Sequence, residues 1–311
     1  MPKFILLFLL SSVATLAQIP TPIQIPIADK KFTIYTNATQ EDLGKYEKAI
    51  ITIHGSTRNA DTYFKTFYSL AKKNNLLDKV LIIAPHFKLS GSESVKDELV
   101  YSYEGWWIGD PSLMAGISSF TVIDEIIKLV SNDSYFPNMK SIFVTGHSAG
   151  GHLTSRLALG TVVDNNLTED ITYVVANPGT YAYISDKRPV GVNTGVYEKP
   201  SRVLCQYDNY KYGMQNRNPY MNRDDVKNMV DRFIKRKVIY LLGEKDTGDV
   251  EHNCASDLQG PHRYARGLNY KGHIDDERPD NIHELITVPE IGHTQWGMYN
   301  SSEGKRLFLD L

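Results

Sequence analysis

The chain has 311 residues, with 34 Lys and Arg against 36 Asp and Glu and a formal net charge of −2. That balance excludes the strong positive field with which proteins draw in nucleic acid or anionic lipid, and it suits a small or neutral substrate. The length admits two small domains or one large α/β domain, and either can bury a sizeable core.

The chain opens with MPKFILLFLLSSVATLAQIP, in which Lys3 precedes an apolar run that ends at Thr15-Leu16-Ala17, small residues of the kind a signal peptidase inspects. Residues 1–17 therefore read as a cleaved secretory signal, and Ser11, Ser12 and Thr15 make the run too short and soft for a span of roughly 20 apolar residues. The mature protein is expected outside the cytoplasm, without stable membrane insertion. Pro and Gly are scattered rather than gathered into a linker and no repeat of solenoid period stands out, so residues 18–311 read as one domain.

Short runs rich in Val and Ile alternate with segments of helical period, the pattern of a parallel sheet covered by helices on both faces. Strands are predicted at 31–36, 49–54, 80–85, 141–146, 172–177, 238–243 and 285–290. Between them, Tyr63, Phe64, Phe67, Leu70 and Ala71 share one helical face, as do Phe120, Ile123, Ile126, Ile127 and Val130, and again Val226, Met229, Val230, Phe233 and Ile234. One stretch departs from the alternation. Residues 178–223 carry Tyr181, Tyr183, Tyr197, Tyr207, Tyr210, Tyr212 and Tyr220, and read as a long insertion that serves either as a lid or substrate wall or as a packed structural loop.

The two cysteines, Cys205 and Cys254, are an even pair in an oxidising compartment and are expected to form a disulfide. Asn-x-Ser/Thr sequons begin at Asn37, Asn132, Asn166 and Asn300, and matter only where the source glycosylates.

Ligands of open parallel sheets bind at the carboxyl ends of the strands, where four polar groups line up. They are His54-Gly55-Ser56-Thr57, then Gly146-His147-Ser148-Ala149-Gly150, then Glu244-Lys245-Asp246, and finally Gly292-His293. A strand running directly into a helix through Ser148 would lift its hydroxyl above the sheet. Serine is a weak nucleophile that needs a base within hydrogen-bond reach, and a histidine base needs an acid to fix its tautomer. Ser148, His293 and Asp246 supply these in chain order serine, acid, histidine. Glu244 and Asp249 are rival acids, and His273 and His283 are rival bases.

In that order and spacing, residues 30–310 resemble the α/β-hydrolase superfamily, whose serine follows the fifth strand, acid commonly the seventh and histidine the last. The resemblance implies an α/β-hydrolase fold and an oxyanion hole built from the N–H of Ala149 and an N–H of the loop after His54. Ser56 is the expected second donor and Thr57 the near alternative; each such donor is worth roughly 3 to 4 kcal/mol of barrier. HGSTRNADTYF, GHSAGG, YLLGEKDT and QGPHRYARG together resemble a group of secreted microbial α/β-hydrolase-like proteins of unsettled substrate.

Trp106 and Trp107 are candidate walls of the substrate pocket. His54, His86, His147 and His152 also sit near strand ends, but their spacing matches no zinc pattern, so neither a metal nor another cofactor is expected. The expected activity is hydrolysis of a small carboxylic ester through an acyl-enzyme. A peptidase or amidase, and a binding protein on the same fold, are the alternatives.

Overall fold

The computed structural model describes residues 21–39, 42–91, 96–201 and 205–310; the expected signal segment lies outside them, and nothing is described of the Asn166 side chain. At the centre is an eight-stranded sheet: β1 (Ile23–Ile27), β2 (Lys30–Thr36), β3 (Lys48–Ile53), β4 (Val80–Pro85), β5 (Ser141–His147), β6 (Asp170–Ala176), β7 (Lys237–Gly243) and β8 (Glu284–Val288). Their spatial order is β1-β2-β4-β3-β5-β6-β7-β8. β2 runs antiparallel to both its neighbours, and every pairing from β4 to β8 is parallel.

Nearly continuous apolar runs make these strands suited to burial on both faces. Along β4, Leu81 and Ile83 face one core while Val80, Ile82 and Ala84 face the other. The first core is covered by α3 (Ser119–Val130), α4 (Ala149–Gly160), α5 (Val226–Phe233) and α7 (Arg263–Glu277). The second is covered by α1 (Ala60–Lys73), α8 (Gln295–Asn300) and α9 (Ser302–Leu309). Two one-turn helices, α2 (Gly105–Ile108) and α6 (Cys254–Asp257), complete the set used below.

The three helical faces expected from periodicity are the buried faces, except that Val226 is only partly buried and Ile234 lies just past the end of α5. Two strand predictions need correction. β1 was not expected, because its alternation of Ile23, Ile25 and Ile27 is short and carries Pro26; at the sheet edge a residue without an N–H is tolerated. The last strand stops at Val288 rather than at 290, since Pro289 has no donor for the ladder and Glu290 turns the chain with φ 59°.

Asn37, the first sequon, is engaged within the fold: its carboxamide donates to Val80 O at 2.9 Å and accepts from Ile82 N–H at 2.7 Å. Cys205 and Cys254 form a disulfide with Cα atoms 6.1 Å apart. Among the described residues, no helix is long and apolar enough to cross a membrane.

Candidate active site

β5 delivers the chain to Ser148 and α4 begins at the next residue, so strand and helix meet at one amino acid. Ser148 has φ 60° and ψ −118°, a backbone conformation that L residues adopt only when their surroundings enforce it. Those surroundings are tight. A Cβ on Gly146 would stand 2.3 Å from the Gly150 carbonyl, and one on Gly150 would stand 2.3 Å from Ile53 O. Only glycine fits at either place, and the close approach drives the start of α4 against the end of β3. The Ser148 N–H is bonded to Ala176 O of β6 at 3.0 Å, which fixes the turn from its other side.

His293 arrives from the loop after β8 and Asp246 from the loop after β7. His293 Nδ1 lies 2.7 Å from Asp246 Oδ2, and Nε2 lies 2.9 Å from Ser148 Oγ. A carboxylate at Nδ1 requires a proton there, so Nε2 is left as the acceptor of the serine hydroxyl. Asp246 is 1% exposed, whereas the His293 side chain is 31% exposed, which leaves the imidazole and the serine open to a ligand. Of the rival acids, Glu244 accepts from the Thr287 hydroxyl at 3.0 Å, and Asp249 offers its carbonyl to Arg263. Of the rival bases, His283 is bonded to Phe233 O and Tyr240, and His273 is enclosed by Tyr183, Tyr197 and Tyr270. The structure thus brings Ser148, His293 and Asp246 together and leaves all four rivals elsewhere.

The loop carrying Ser56 lies alongside. A Cβ on Gly55 would come within 3.9 Å of Ser148 Cβ, and Ser56 itself is exposed. The turn is closed by Arg58 N–H to Gly55 O at 3.1 Å, so the amides of Ser56 and Thr57 take no part in closing it. Beneath it, His54 is fully buried: Nδ1–H donates to Gly55 O at 2.8 Å and Nε2 accepts the Phe87 N–H at 3.1 Å. Burial pushes His54 down to about 3, so it is neutral, and with both ring nitrogens bonded to backbone it pins this loop. Ala149, the other expected donor, is the first residue of α4, where N–H groups have no partner within the helix.

His147 packs under the base, with its ring centroid 4.5 Å from that of His293. Burial, with His293 and Arg263 adding to it, holds His147 well below the ordinary histidine range, so it presents a neutral face. The two tryptophans divide. Trp106 is fully buried, against His54 at 4.4 Å and stacked on Phe87 at 5.3 Å, and has no surface to offer a ligand. Trp107 retains 8% exposure and approaches His152 at 6.3 Å. Among the described residues, no group of three His, Cys, Asp or Glu is placed to hold a metal ion.

Two features were not given a role by the sequence. Arg263, inside the stretch QGPHRYARG, reaches the acid: Nη1 is 3.6 Å from Asp246 Oδ1 and donates to Asp249 O at 2.7 Å. A cavity of about 700 Å³ is lined by Ser141, Asp170 and Lys237, the first residues of β5, β6 and β7. It therefore opens at the opposite end of the strands from Ser148, and chemistry rather than volume locates the site.

No family model matches the sequence, and a search of curated proteins found no match. Solved structures do match. The poly(3-hydroxybutyrate) depolymerase LpqC from Bordetella parapertussis superposes with a TM-score of 0.65 at 20% identity, over 94% of this chain and 91% of that one. Poly(aspartic acid) hydrolase-1 from Sphingomonas sp. KT-1 gives 0.64 at 19% identity, over 94% and 99%. An S-formylglutathione hydrolase from Agrobacterium tumefaciens gives 0.50 at 14% identity, over 90% and 89%. The likeness extends over nearly the whole of each chain, and the fold is the α/β-hydrolase fold.

Proposed function

We propose that this α/β-hydrolase-fold chain is a secreted serine hydrolase that cleaves carboxylic esters. The observation that carries the reading is the continuous hydrogen-bonded path from Ser148 Oγ through His293 to a buried Asp246, with the serine on a strained turn above the sheet. In this mechanism His293 Nε2 takes the Ser148 proton as Oγ attacks the ester carbonyl carbon. The resulting oxyanion is held by the Ala149 and Ser56 amides. Protonated His293 then gives its proton to the departing alkoxide as the C–O bond breaks, which leaves an acyl-serine and a free alcohol. Water repeats the sequence to release the acid and restore Ser148. Asp246 stays ionised throughout, stabilising the imidazolium and fixing its orientation.

Secretion is supported by the N-terminal pattern and by the Cys205–Cys254 disulfide, which suits an oxidising compartment. The matched structures include one named for poly(3-hydroxybutyrate) and one named for poly(aspartic acid), so the choice between linkages has to be made by experiment. A fluorophosphonate probe should label folded protein at Ser148 and nowhere else, and lack of labelling would sink the hydrolase reading. A panel of p-nitrophenyl esters of rising chain length beside peptide amides then tests the bond class. Faster turnover of the amides would replace esterase with peptidase or amidase.

A further inference from the structure

Asp246 is buried, and only one of its oxygens is occupied. Oδ2 accepts from His293, while Oδ1 has no hydrogen-bond partner among the described residues. A buried carboxylate with one oxygen unpartnered is stabilised by a positive charge nearby. Arg263, at the first position of α7, is that charge. Its side chain is 17% exposed, so water screens it only partly, and its bond to Asp249 O keeps the guanidinium facing the acid. We infer that Arg263 is a positioning residue for the acid and base: it holds the Asp246 carboxylate in register with His293, and its positive charge offsets part of the negative charge that His293 feels.

The inference rests on the reading of Ser148 and His293 as nucleophile and base. Its consequence is electrostatic. A lone buried carboxylate beside an imidazole stabilises the imidazolium form. A guanidinium 3.6 Å from the far oxygen opposes that stabilisation, and removing its charge is expected to strengthen it. The other titratable and charged groups facing this cluster are few. His147 comes from the end of β5, His152, held neutral by burial, from α4, Tyr181 from the segment after β6, and His262 and Arg266 from the start of α7. His147 is neutral through burial and Tyr181 is held well above the ordinary tyrosine range, also by burial, so neither changes charge where esterases work. His262 is a partly exposed imidazole shifted downward by burial, and a His262→Gln background removes its titration from the profile.

The test compares wild type, Arg263→Gln and Arg263→Lys by two readouts: the rate of fluorophosphonate labelling of Ser148 against pH, and the NMR titration of the His293 ring. Loss of the charge in R263Q should move the acid limb of the labelling profile upward by about one pH unit, roughly a tenfold loss on that limb. The His293 ring titration should move with it. R263K keeps the charge and should restore most of the limb. If instead R263Q and R263K are both slower with the limb and the ring titration unmoved, Arg263 only braces the loop and the inference falls. Absence of labelling in wild type would overturn the hydrolase reading, yet the ring titration would still report on Arg263. Arg263→Met keeps the buried stem and replaces the glutamine variant if that one melts below the assay temperature.

Discussion

The elbow around Ser148 and the tyrosine-rich segment after β6 are held in place by opposite means. At the elbow the determinants are next to one another in the chain. Gly146 and Gly150 permit a close approach, the peptide turns at one strained residue, and the hydroxyl points where the histidine ends. In the segment after β6 the determinants are arginines, two of them contributed by helices far off in sequence. Arg156 of α4 is fully buried and donates to Lys211 O at 2.8 Å, His152 O at 3.2 Å and the Thr180 hydroxyl at 3.2 Å. Arg266 of α7 donates to Gly260 O and Gly179 O, both at 2.8 Å, and to Glu251 O at 3.0 Å. Arg188 lies between the rings of Tyr183 and Tyr207, at 4.4 and 4.8 Å, and donates to four backbone carbonyls of the segment.

The tyrosines are correspondingly occupied. Tyr181 stacks on Tyr270 at 4.4 Å, Tyr210 donates to Ile108 O at 2.6 Å, and Tyr220 donates to the buried Asp124 at 2.6 Å. Of the two readings of this insertion, packed structure has the contacts in its favour. A segment lacking long strands and helices leaves many carbonyls without partners, and a guanidinium with five donors can serve several at once. On the proposed reading the elbow carries the chemistry, whereas the contacts described for the segment are structural ones.

That division is open to direct attack. Ser148→Ala should lower kcat by about a million-fold while leaving the melting temperature near that of wild type. A large fall in melting temperature would mean that the elbow is also a keystone of the fold. Replacing Cys205 and Cys254 together by Ser opens a loop whose ends are 49 residues apart in sequence, with an expected loss of about 4 kcal/mol of unfolding free energy in a denaturant titration and active protein at low denaturant. Arg156→Met should cost about 3 kcal/mol, since it strands carbonyls that the guanidinium now satisfies, and fluorophosphonate labelling of the folded fraction should persist. If labelling disappears while the variant remains folded, the segment contributes to the site and the division fails.

The last effect is an acid one, and it is the smallest when read over a single pH unit. Burial pushes His54 and His273 down to about 3 and His283 down to about 4, all below the value of an exposed imidazole. The unfolded chain therefore binds protons first as the pH falls below about 6.5, and stability is lost from there down through the folded values. Each histidine should contribute a slope of about 1.4 kcal/mol per pH unit in that window. His273 lies among the segment's tyrosines and His54 under the loop beside the elbow. Comparing His273→Phe with His54→Phe in acid melts shows which region yields first, and an unchanged slope in both would remove these two histidines as the cause.

The order serine, acid, histidine was legible because an elbow and two strand-end loops are local features that a parallel sheet carries to one edge. So were the helical faces, whose period is written in the side chains. Strand β1 was not, because five residues interrupted by Pro26 give too weak an alternation to be told from a linker. Trp106 was not, because an aromatic residue beside the site looks the same in sequence whether it lines a pocket or packs on His54.

The sequence by itself determined the alternation of strands and helices, the glycines that permit a strained turn at Ser148, and the chain order of the three polar groups. These are properties of neighbouring residues and of period. Only the tertiary structure decided that Asp246 rather than Glu244 or Asp249 meets His293, that Arg263 stands behind that acid, and that the tyrosine-rich segment is anchored by buried guanidinium groups. Each of those outcomes depends on distances between elements dozens of residues apart, which packing sets and no local pattern encodes.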